Sequence, residues 1–381
     1  MTSTTLKILY LVHDLADPAV HKRAAMLRDG GALLTMAGFN RTAEPIADIA
    51  GCATVDLGRT YNGGFIQRIW SVLREVIVLR RRLPLFTDAD VIIARNLEML
   101  ALAVRGRSLC TPPPALVYEC LDIHRLLLGK GPVGTGLRAL EGWLSKRASA
   151  LITSSPAFVT QYFEAMSKVK LPVKLIENKV YAPDQPHSTD LPARTSGPPW
   201  KIGWFGVIRC RKSLDLLTEL VKYCHGSVQV IIRGRPAFDQ IPDFNKIVAT
   251  TPGLSFAGPY KNPDDLAEMY HDVHFSWSID MYEEGLNSSW LLPNRLYEGG
   301  LFNVVPIALK SVETGQFLKQ HGIGVTLGQP PDSFLKSFFR NLTKKQYENL
   351  EKRAMEILKP AWRADKKECE AFVGYLKSLK S

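Results

Sequence analysis

Cysteine is scarce in this chain, and the cysteines that are present form no recognisable pattern. The 381 residues include six of them, with no Cys-x-x-Cys pair. They are Cys52, Cys110, Cys120, Cys210, Cys224 and Cys369. This wide spacing argues against a zinc site and against a disulfide framework. We therefore expect buried or incidental thiols and no metal site.

Long apolar runs are also missing. No stretch of the sequence approaches the roughly 20 apolar residues that a membrane-spanning helix needs. The opening segment reaches the polar pair His13-Asp14 too early for the apolar core of a secretory signal. These two features predict a cytoplasmic protein.

The chain has no excess of acidic residues, and its net charge is +11. With 46% hydrophobic, 22% charged and 9% aromatic residues, it has the composition of a folded globular protein, which excludes collagen-like and disordered classes. Residues 1–180 hold 23 Lys and Arg against 15 Asp and Glu, a net charge of +8, which leaves +3 for residues 181–381. The basic half is expected to meet an anion, and the sign alone allows nucleic acid, a membrane or an anionic substrate.

Short apolar strands alternate with helical segments along most of the chain. The first example is the apolar run at 6–12, followed by a polar turn and a helical pattern that ends at Gly30-Gly31. This alternation predicts parallel strand pairing in doubly wound α/β sheets. We predict four segments: an N-terminal Rossmann-like domain at 1–180, a proline-rich linker at 181–199, a second Rossmann-like domain at 200–342 and C-terminal helices at 343–381. Ligands of such sheets bind at the carboxyl ends of the strands.

The most informative motif lies at 287–310 and reads NSSWLLPNRLYEGGLFNVVPIALK. A helix is expected to open at Pro293 and to end at Gly299-Gly300. Within it, Arg295 and Glu298 lie three residues apart and share one face. The arginine and the free helix N–H groups suit a nucleotide diphosphate, and the glutamate suits two ribose hydroxyls. A surface salt bridge between the two side chains is the alternative interpretation.

This motif resembles the P-N-K-L-x-E segment of the retaining family-4 glycosyltransferases, which have the two-domain GT-B fold. Further matches follow in chain order. In the second half of the chain these are IGWFGVIRCRKSLDLL and LSFAGPYKNPDDLAEMY. In the first half, four segments are similar to strands of the exopolysaccharide-assembly members: KILYLVHDLADPAV, DVIIARNLEML, LVYECLDIH and ALITSSPAFV. The ordered set runs from about Lys7 to Leu327. The resemblance implies a GT-B fold and sugar transfer from a nucleotide diphosphate, with UDP as the expected nucleotide.

The resemblance implies a donor site in the second domain. Glu298 would hold the donor ribose, while Arg209, Lys212 and Arg295 would surround the diphosphate. Fixed cations there stabilise the negative charge that the leaving nucleoside diphosphate gains, so Arg209 and Arg295 are expected to be catalytic. Gly206 belongs to the matched glycine-rich strand and loop.

Further donor-site residues are expected around this centre. Arg233 and Tyr260 follow strands and are placed where the nucleotide base would bind, although turn chemistry also explains their segments. Two positions depart from the family pattern: Trp290 stands where many relatives have a glutamate that contacts the donor sugar, and Asn303 stands where glycine is usual. The remaining predicted site residues are Asn287, Ser288 and Asn294, with Ser289 and Glu283-Glu284 as further candidates to replace the missing glutamate.

Three strand ends of the first domain carry polar residues that suit an acceptor. They are His13-Asp14, Arg95-Asn96, and Asp122 with His124. By its place in the resemblance, Asp122 would lie near the reaction centre and is the expected catalytic group of this domain. Retaining transfer on this fold is thought to let the donor phosphate assist the incoming hydroxyl. The alternative is that Asp14, Asn96 and Asp122 cap the helices that follow and that His124 is a loop histidine.

The resulting prediction is a glycosyltransferase that uses a nucleotide-sugar donor and a lipid-linked sugar or glycan acceptor. No cofactor is expected, and no metal, because the donor segment has no Asp-x-Asp motif. A nucleotide-sugar epimerase on a similar fold is the alternative enzyme. Excess positive charge alone suggests a nucleic-acid-binding protein, and no recognition-helix signature supports it, so we expect no nucleic acid partner. GKGPVG at 129–134 spells a dinucleotide-binding pattern but follows a helix-like segment, so it predicts a mobile loop instead.

Residues 65–82, FIQRIWSVLREVIVLRRR, suggest a contact with a membrane. Apolar residues recur there at helical spacing, and arginines occupy the other side or the end. Packing of the stripe on the N-terminal sheet, with the arginines in solvent, is the alternative. The concentration of positive charge in this half favours a peripheral contact with the anionic inner face of the cytoplasmic membrane.

Overall fold

The computed structural model describes residues 5–40, 46–59, 79–181 and 194–380 of the chain. The chain divides into two compact units. The first comprises Met1–Glu177 and Asp365–Ser381, and the second comprises Asn178–Ala364. The predicted linker at 181–199 falls only partly within the described residues.

The first unit alternates strands and helices as the sequence predicts. Its strands are β1 (Lys7–Val12), β2 (Leu33–Asn40), β3 (Asp48–Ile49), β4 (Cys52–Arg59), β5 (Val91–Arg95), β6 (Ala115–Glu119), β7 (Ala150–Thr153) and β8 (Val173–Leu175). Its α-helices, before the C-terminal one, are α1 (Pro18–Asp29), α2 (Leu83–Thr87), α3 (Asn96–Arg107), α4 (Arg125–Leu128) and α5 (Pro132–Ser145). A 3-10 turn at Leu79–Arg82 and a π-helical segment at Phe158–Glu164 complete the described elements.

These strands form one sheet, with the order β3-β4-β2-β1-β5-β6-β7-β8 among the described residues. All neighbouring strands pair in parallel except β3 and β4. Every residue of β5 and β6 is buried, which is why these strands read as apolar runs, with Arg95 and Glu119 at their ends, rather than as alternating patterns.

The second unit repeats this architecture with a smaller sheet. Its strands are β9 (Trp200–Ile208), β10 (Val228–Pro236), β11 (Leu254–Phe256), β12 (Phe275–Trp277), β13 (Val305–Leu309) and β14 (Val325–Leu327). Its α-helices are α6 (Arg211–Tyr223), α7 (Phe244–Thr250), α8 (Leu266–His271), α9 (Asn287–Trp290), α10 (Asn294–Leu301), α11 (Glu313–His321), α12 (Pro331–Asn341) and α13 (Lys344–Glu356), and a 3-10 turn lies at Lys359–Ala361.

The second sheet has the order β11-β10-β9-β12-β13-β14, and all its strands are parallel. Its core includes Trp204 and Trp277, which are 1% and 0% exposed. Because the strands are parallel, the loops that follow β9, β10 and β12 all leave from one edge of the sheet. This carboxyl edge is where α/β sheets bind ligands.

The last helix, α14 (Lys366–Ser378), belongs to the first unit. It packs closely on α1, since a Cβ built at Gly30 would lie 2.4 Å from the carbonyl oxygen of Cys369. The guanidinium of Arg23 also lies over the ring of Phe372, 5.4 Å from its centre. The predicted C-terminal segment at 343–381 is thus divided between the two units.

Two local predictions differ from the structure. Helix α5 begins at Pro132, inside the segment predicted as a mobile loop, because proline suits the first helical turn and Gly134 packs against Gly129, where a Cβ would lie 2.1 Å from the carbonyl oxygen. Gly299-Gly300 do not end their helix, which runs on to Leu301.

The linker prediction is also incomplete, since Arg194 is anchored in the second unit. Its guanidinium pairs with Glu351 at 2.6 Å and donates to the carbonyl oxygens of Tyr270 and Phe302.

In the described part of the chain, no helix combines the length and apolarity needed to cross a bilayer.

Candidate active site

The carboxylate of Glu298 lies in a buried polar cluster of the second unit. Helix α10 places it four residues after Asn294, and Glu298 is only 4% exposed. Its Oε1 accepts a hydrogen bond from Asn262 Nδ2 at 2.8 Å, and its Oε2 accepts one from Tyr270 Oη at 2.9 Å. Burial, and then the nearby Glu298 carboxylate, raise the pKa of Tyr270, so the hydroxyl stays a donor. The carboxylate is therefore held in a fixed orientation.

The glycine pair after Glu298 explains how α10 reaches this position. A Cβ at Gly299 would lie 2.9 Å from Ser276 Oγ on β12, and one at Gly300 would lie 2.4 Å from the Trp362 ring. The two glycines thus let the helix approach the sheet closely instead of ending it. The chain turns after Leu301 at Asn303, which adopts a φ of 58°. Asparagine tolerates this left-handed conformation well, so the departure from glycine is a mild one.

Arg295 lies one turn before Glu298 on the same helix. Its Nη2 donates to the carbonyl oxygen of Ile279 at 2.9 Å, and its Nη1 lies 3.5 Å from that of Phe205. These contacts fix the guanidinium beside the ends of β9 and β12. The Nε of Arg295 is buried and has no hydrogen-bond partner. The salt bridge between Arg295 and Glu298, the alternative interpretation of the sequence, is not among the ion pairs of the described residues, and each group has other partners.

Arg233 and Tyr260 join the same cluster from β10 and the loop after β11. Arg233 Nη2 lies 3.8 Å from Asp265 Oδ2, while its buried Nε, like that of Arg295, has no hydrogen-bond partner. Burial, followed by the charge of Glu298, raises the pKa of the Tyr260 hydroxyl, and both arginines act in the opposite direction. A buried donor without a hydrogen-bond partner destabilises the folded chain by about 1–3 kcal/mol. Two such arginines in one cluster are therefore unusual.

The backbone around Gly206 leaves room beside these cations. Gly206 and Gly234 are paired across β9 and β10 with φ values of 113° and 137°. A Cβ at Gly234 would lie 1.8 Å from the carbonyl oxygen of Gly206, so only glycine fits there. A Cβ at Gly206 would meet nothing within 4 Å, so open space lies above this strand end.

Arg209 and Lys212 lie at the start of α6 and are each paired with the loop after β12. Arg209 Nη2 is 3.5 Å from Asp280 Oδ2, and its guanidinium lies over the ring of Tyr282, 4.6 Å from the centre. Lys212 forms an ion pair with Glu284. Both cations are exposed, by 40% and 65% of their side-chain surface. Glu284, a candidate to replace the missing glutamate, thus reaches a predicted phosphate cation.

The other residues predicted around position 290 have local roles. Asn287 and Ser288 are buried, and Ser288 Oγ accepts from the backbone N of Glu283 at 3.0 Å. Ser289 Oγ accepts from the backbone N of Gly285 at 2.9 Å. Asn294 is exposed at the first position of α10. These contacts shape the loop between β12 and α10, and a donor-sugar role for these residues remains a prediction.

In the first unit, Asp122 is exposed just beyond the end of β6. It does not cap α4, since that role belongs to His124, whose Nδ1 accepts from the backbone N of Leu126 at 3.3 Å. Asp14 accepts from the backbone N of Ala16 at 3.0 Å. The catalytic role of Asp122 stays a prediction.

The pairs at the ends of β1 and β5 meet each other. His13 Nδ1 and Asn96 Nδ2 are 3.2 Å apart, and Asn96 has a φ of 70°. The two strand ends that the sequence singled out therefore contribute to one polar cluster at the carboxyl edge of the first sheet.

A buried ionic network that no sequence motif predicts lies below this edge. Glu119, which is fully buried in β6, accepts from Arg23 Nε at 2.8 Å and from Tyr10 Oη at 2.5 Å. Arg95 Nη1 donates to the same Tyr10 oxygen at 3.2 Å, and its Nη2 lies 3.3 Å from Asp17. A glutamate inside an otherwise apolar strand was the available signal. Nothing local in the sequence named its partners.

No group of three or more His, Cys, Asp or Glu side chains in the described ranges is arranged to hold a metal ion. The candidate site of the second unit is thus built from arginines, a lysine, a buried glutamate and an open backbone edge. This combination suits a polyanion that also presents hydroxyl groups.

Comparison with known proteins identifies the family. No protein-family profile matches the chain. It is 47% identical over 378 residues to succinoglycan biosynthesis protein ExoL of Rhizobium meliloti strain 1021, covering 98% of this chain and 94% of that protein.

Solved structures show the fold. The sucrose-phosphate synthase of Thermosynechococcus elongatus has a TM-score of 0.73 at 13% identity, with 98% of each chain covered. Anabaena HepE in complex with UDP and glucose has a TM-score of 0.67 at 15% identity, with 98% of this chain and 99% of that one covered. The predicted GT-B architecture of two Rossmann-like units is confirmed. The chain therefore belongs to the family of succinoglycan biosynthesis protein ExoL, a family of exopolysaccharide assembly with the GT-B glycosyltransferase fold.

Proposed function

We propose that this chain transfers a sugar from a UDP-sugar to a lipid-linked sugar or growing glycan, with retention of configuration at the anomeric carbon. One observation carries the proposal: Arg295, fixed by two carbonyl oxygens and left with a buried unpartnered Nε, lies one helical turn from the buried carboxylate of Glu298. A diphosphate and the ribose attached to it need these two groups side by side.

The nucleotide assignment rests on the same cluster and on one structural neighbour. HepE has been solved with UDP and with UDP-glucose, and it shares this fold. In this chain, Arg233 and Tyr260 flank the cluster on the side of β10 and β11, where a base joined to the ribose would extend. The Nε of Arg233 has no hydrogen-bond partner, which favours a polar ligand such as uracil, because binding would satisfy a donor that is otherwise buried without one.

The proposed reaction breaks the bond between the anomeric carbon and the β-phosphate oxygen. The bonding electrons leave with UDP, the acceptor oxygen bonds to the anomeric carbon, and the acceptor proton passes to the departing phosphate. Arg295 is fixed before the reaction, so it stabilises the new charge without reorganisation. Arg209 and Lys212 exchange Asp280 and Glu284 for phosphate oxygens. For Lys212 and Glu284 this exchange is easy, because both side chains are exposed and exposed ion pairs contribute only about 0–1 kcal/mol.

The first unit would present the acceptor. Its exposed Asp122 and the polar cluster of His13 and Asn96 lie at the carboxyl edge of the sheet. The relative named for succinoglycan biosynthesis supports a glycan acceptor of the exopolysaccharide class. We propose transfer without a metal or a cofactor, at the cytoplasmic face of the membrane. The predicted membrane contact at 65–82 lies mostly outside the described residues and stays a prediction.

The test is transfer of radiolabelled sugar from a panel of UDP-sugars to lipid extracts of the source membranes. A labelled lipid product whose new bond keeps the donor's anomeric configuration is expected. Arg295→Ala should lose most of the turnover, and Arg353→Ala, an exposed arginine of α13, should keep it. Release of a free epimerised sugar nucleotide, or near-normal turnover of the Arg295 variant, would contradict the proposal.

A further inference from the structure

Helix α5 presents an apolar face to solvent. Val133, Leu140 and Trp143 are 64%, 43% and 53% exposed, three of the large apolar side chains most open to solvent in the described chain. Their spacing along α5 puts them on one stripe, together with Gly136 and Ala139. The helix has 14 residues, so the stripe is about 20 Å long. An unburied stripe of this length on a surface helix indicates an interaction surface.

The inner face of α5 is fixed and cannot turn to bury the stripe. Glu141 is fully buried and accepts hydrogen bonds from Tyr118 Oη at 2.9 Å, Tyr162 Oη at 2.7 Å and Ser167 Oγ at 2.8 Å. A Cβ built at Gly142 would lie 2.6 Å from the Cβ of Lys168, so the helix backbone touches its neighbour there. Rotating the helix would break three hydrogen bonds to a buried carboxylate. The exposed stripe is therefore a permanent feature of this unit.

The start of the helix is fixed as well. Arg138 Nη1 donates to the carbonyl oxygens of Leu127 at 2.6 Å and Gly129 at 2.8 Å, which ties the turn before α5 to the middle of the helix. The turn itself carries Lys130, which is exposed. Lys130 thus lies at the beginning of the apolar stripe with its charge in solvent.

The exposed charges directly before and after α5 in the chain are positive. Between Asp122 and Glu164 the sequence contains one acidic residue, Glu141, whose carboxylate is turned inward. Lys146 and Arg147 are exposed directly after α5, and Arg147 lies over the ring of Trp143, 5.0 Å from its centre. The surface of α5 therefore combines apolar side chains with cations at both ends and offers no carboxylate to a basic partner.

We propose that this face of α5 docks on an anionic lipid bilayer. Tryptophan prefers the interface between headgroups and acyl chains, where its ring is apolar and its N–H is solvated. Valine and leucine insert beside it, while the flanking lysines and arginine reach the phosphates of anionic lipids. The stripe would lie in the plane of the membrane, since a helix of this length cannot span it.

The position of α5 in the chain links this surface to the acceptor. The helix follows β6 with only α4 between them, so it belongs to the same carboxyl-edge segment as Asp122. An acceptor anchored in lipid would reach the first unit from the side that the membrane covers. The inference goes beyond the proposed reaction, because membrane binding is measured without donor or acceptor.

The test is co-sedimentation of the full chain with vesicles of phosphatidylcholine alone and of phosphatidylcholine mixed with phosphatidylglycerol. Two variants remove the two components of the surface, with residues 80–82 left unchanged. Leu140→Ser with Trp143→Ser removes apolar contact, and Lys146→Gln with Arg147→Gln removes charge. Leu358→Ser is the matched control, since Leu358 is 78% exposed in the second unit.

The parent is expected to bind only the anionic vesicles and to be released by high salt. The apolar double variant should bind at least about tenfold more weakly, and each lost cation should weaken binding about fivefold. The control should bind like the parent, and all variants should keep the parent's Tm because the changed side chains are exposed. Unchanged vesicle binding of the apolar variant overturns the proposal. The proposal is also overturned if the parent binds no vesicles and instead forms a concentration-dependent dimer that the apolar variant abolishes. In that case a second copy of the chain covers the face.

Discussion

Arg295 and Glu298 are assigned to different parts of one ligand, and truncating each side chain separates their roles. Arg295 is proposed to contact the diphosphate, whereas Glu298 is proposed to accept from the ribose hydroxyls. Uridine carries the ribose and the base but no phosphate. The Glu298→Ala variant should therefore lose affinity for UDP and uridine alike, and the Arg295→Ala variant should lose affinity for UDP only.

The structure sets the magnitude for Glu298. Its carboxylate is 4% exposed and accepts hydrogen bonds from Asn262 and Tyr270. An ionised carboxylate has about four acceptor sites, so one carboxylate can serve protein donors and ligand hydroxyls together. Hydrogen bonds to charged groups contribute about 1.5–3 kcal/mol. This range corresponds to a Kd about tenfold to about 160-fold higher in the Glu298→Ala variant.

Isothermal titration calorimetry with UDP and with uridine measures both effects. Glu348→Ala is the matched control, because Glu348 is a half-exposed glutamate of α13 in the same unit. Its affinities should equal those of the parent. Equal UDP affinity in parent and Glu298→Ala would refute the ribose assignment. A loss of uridine binding in Arg295→Ala as large as its loss of UDP binding would refute the diphosphate assignment.

Three further outcomes are expected. Tyr270→Phe removes a donor that orients Glu298 and should raise the Kd for UDP about fivefold, by calorimetry, for a net loss of about 1 kcal/mol. Transfer activity should survive EDTA, and an activity that EDTA abolishes and manganese restores would contradict the metal-free proposal. Burial lowers the pKa of His274 below 6.5, and the folded chain holds the ring neutral, with Nδ1 accepting from Lys201 N and Nε2 bonded to the Thr195 carbonyl oxygen. As the pH falls, the unfolded chain therefore takes up the proton at this histidine before the folded chain does. The free energy of unfolding, measured in urea, should fall as the pH drops below about 6.5, and it should fall less in His274→Gln.

The fold was predictable because its signals are local. A strand such as β5, VIIAR, is buried along its whole length and reads as an apolar run that only Arg95 at its end interrupts. Its alternation with helices leaves parallel pairing as the simple solution for both halves of the chain. The order of motifs then indicated the family, and Arg295 and Glu298 followed from their spacing at the start of one helix.

The partners of these residues could not be predicted, because packing at a distance decides them. Tyr270 and Asn262 precede Glu298 by 28 and 36 residues, and no local pattern marks them as its donors. The same holds for Glu119, whose partner Arg23 is 96 residues away. A sequence shows that a buried carboxylate needs donors, and only the fold shows which groups supply them.

The glycines of α5 and α10 led to wrong local predictions for a related reason. Gly299-Gly300 resemble a helix stop, yet they lie within α10 because Ser276 and the Trp362 ring leave no space for a Cβ. At Gly134 the neighbouring carbonyl oxygen has the same effect inside α5. Glycine permits both a turn and a close approach, and the choice between them depends on what packs against it.

The cations of the proposed donor site differ in their protein partners, and this difference gives them different roles. Arg209 and Lys212 are exposed and paired with carboxylates, so a phosphate has to displace Asp280 and Glu284 before it gains from them. Arg295 has carbonyl oxygens as its partners and needs no such exchange. Preorganised charge lowers a barrier more than charge that must first be freed, since reorganisation during the reaction costs part of the gain. The fixed arginine is therefore the group whose charge acts most on the transition state, while the exchangeable pair keeps the empty site close to neutral.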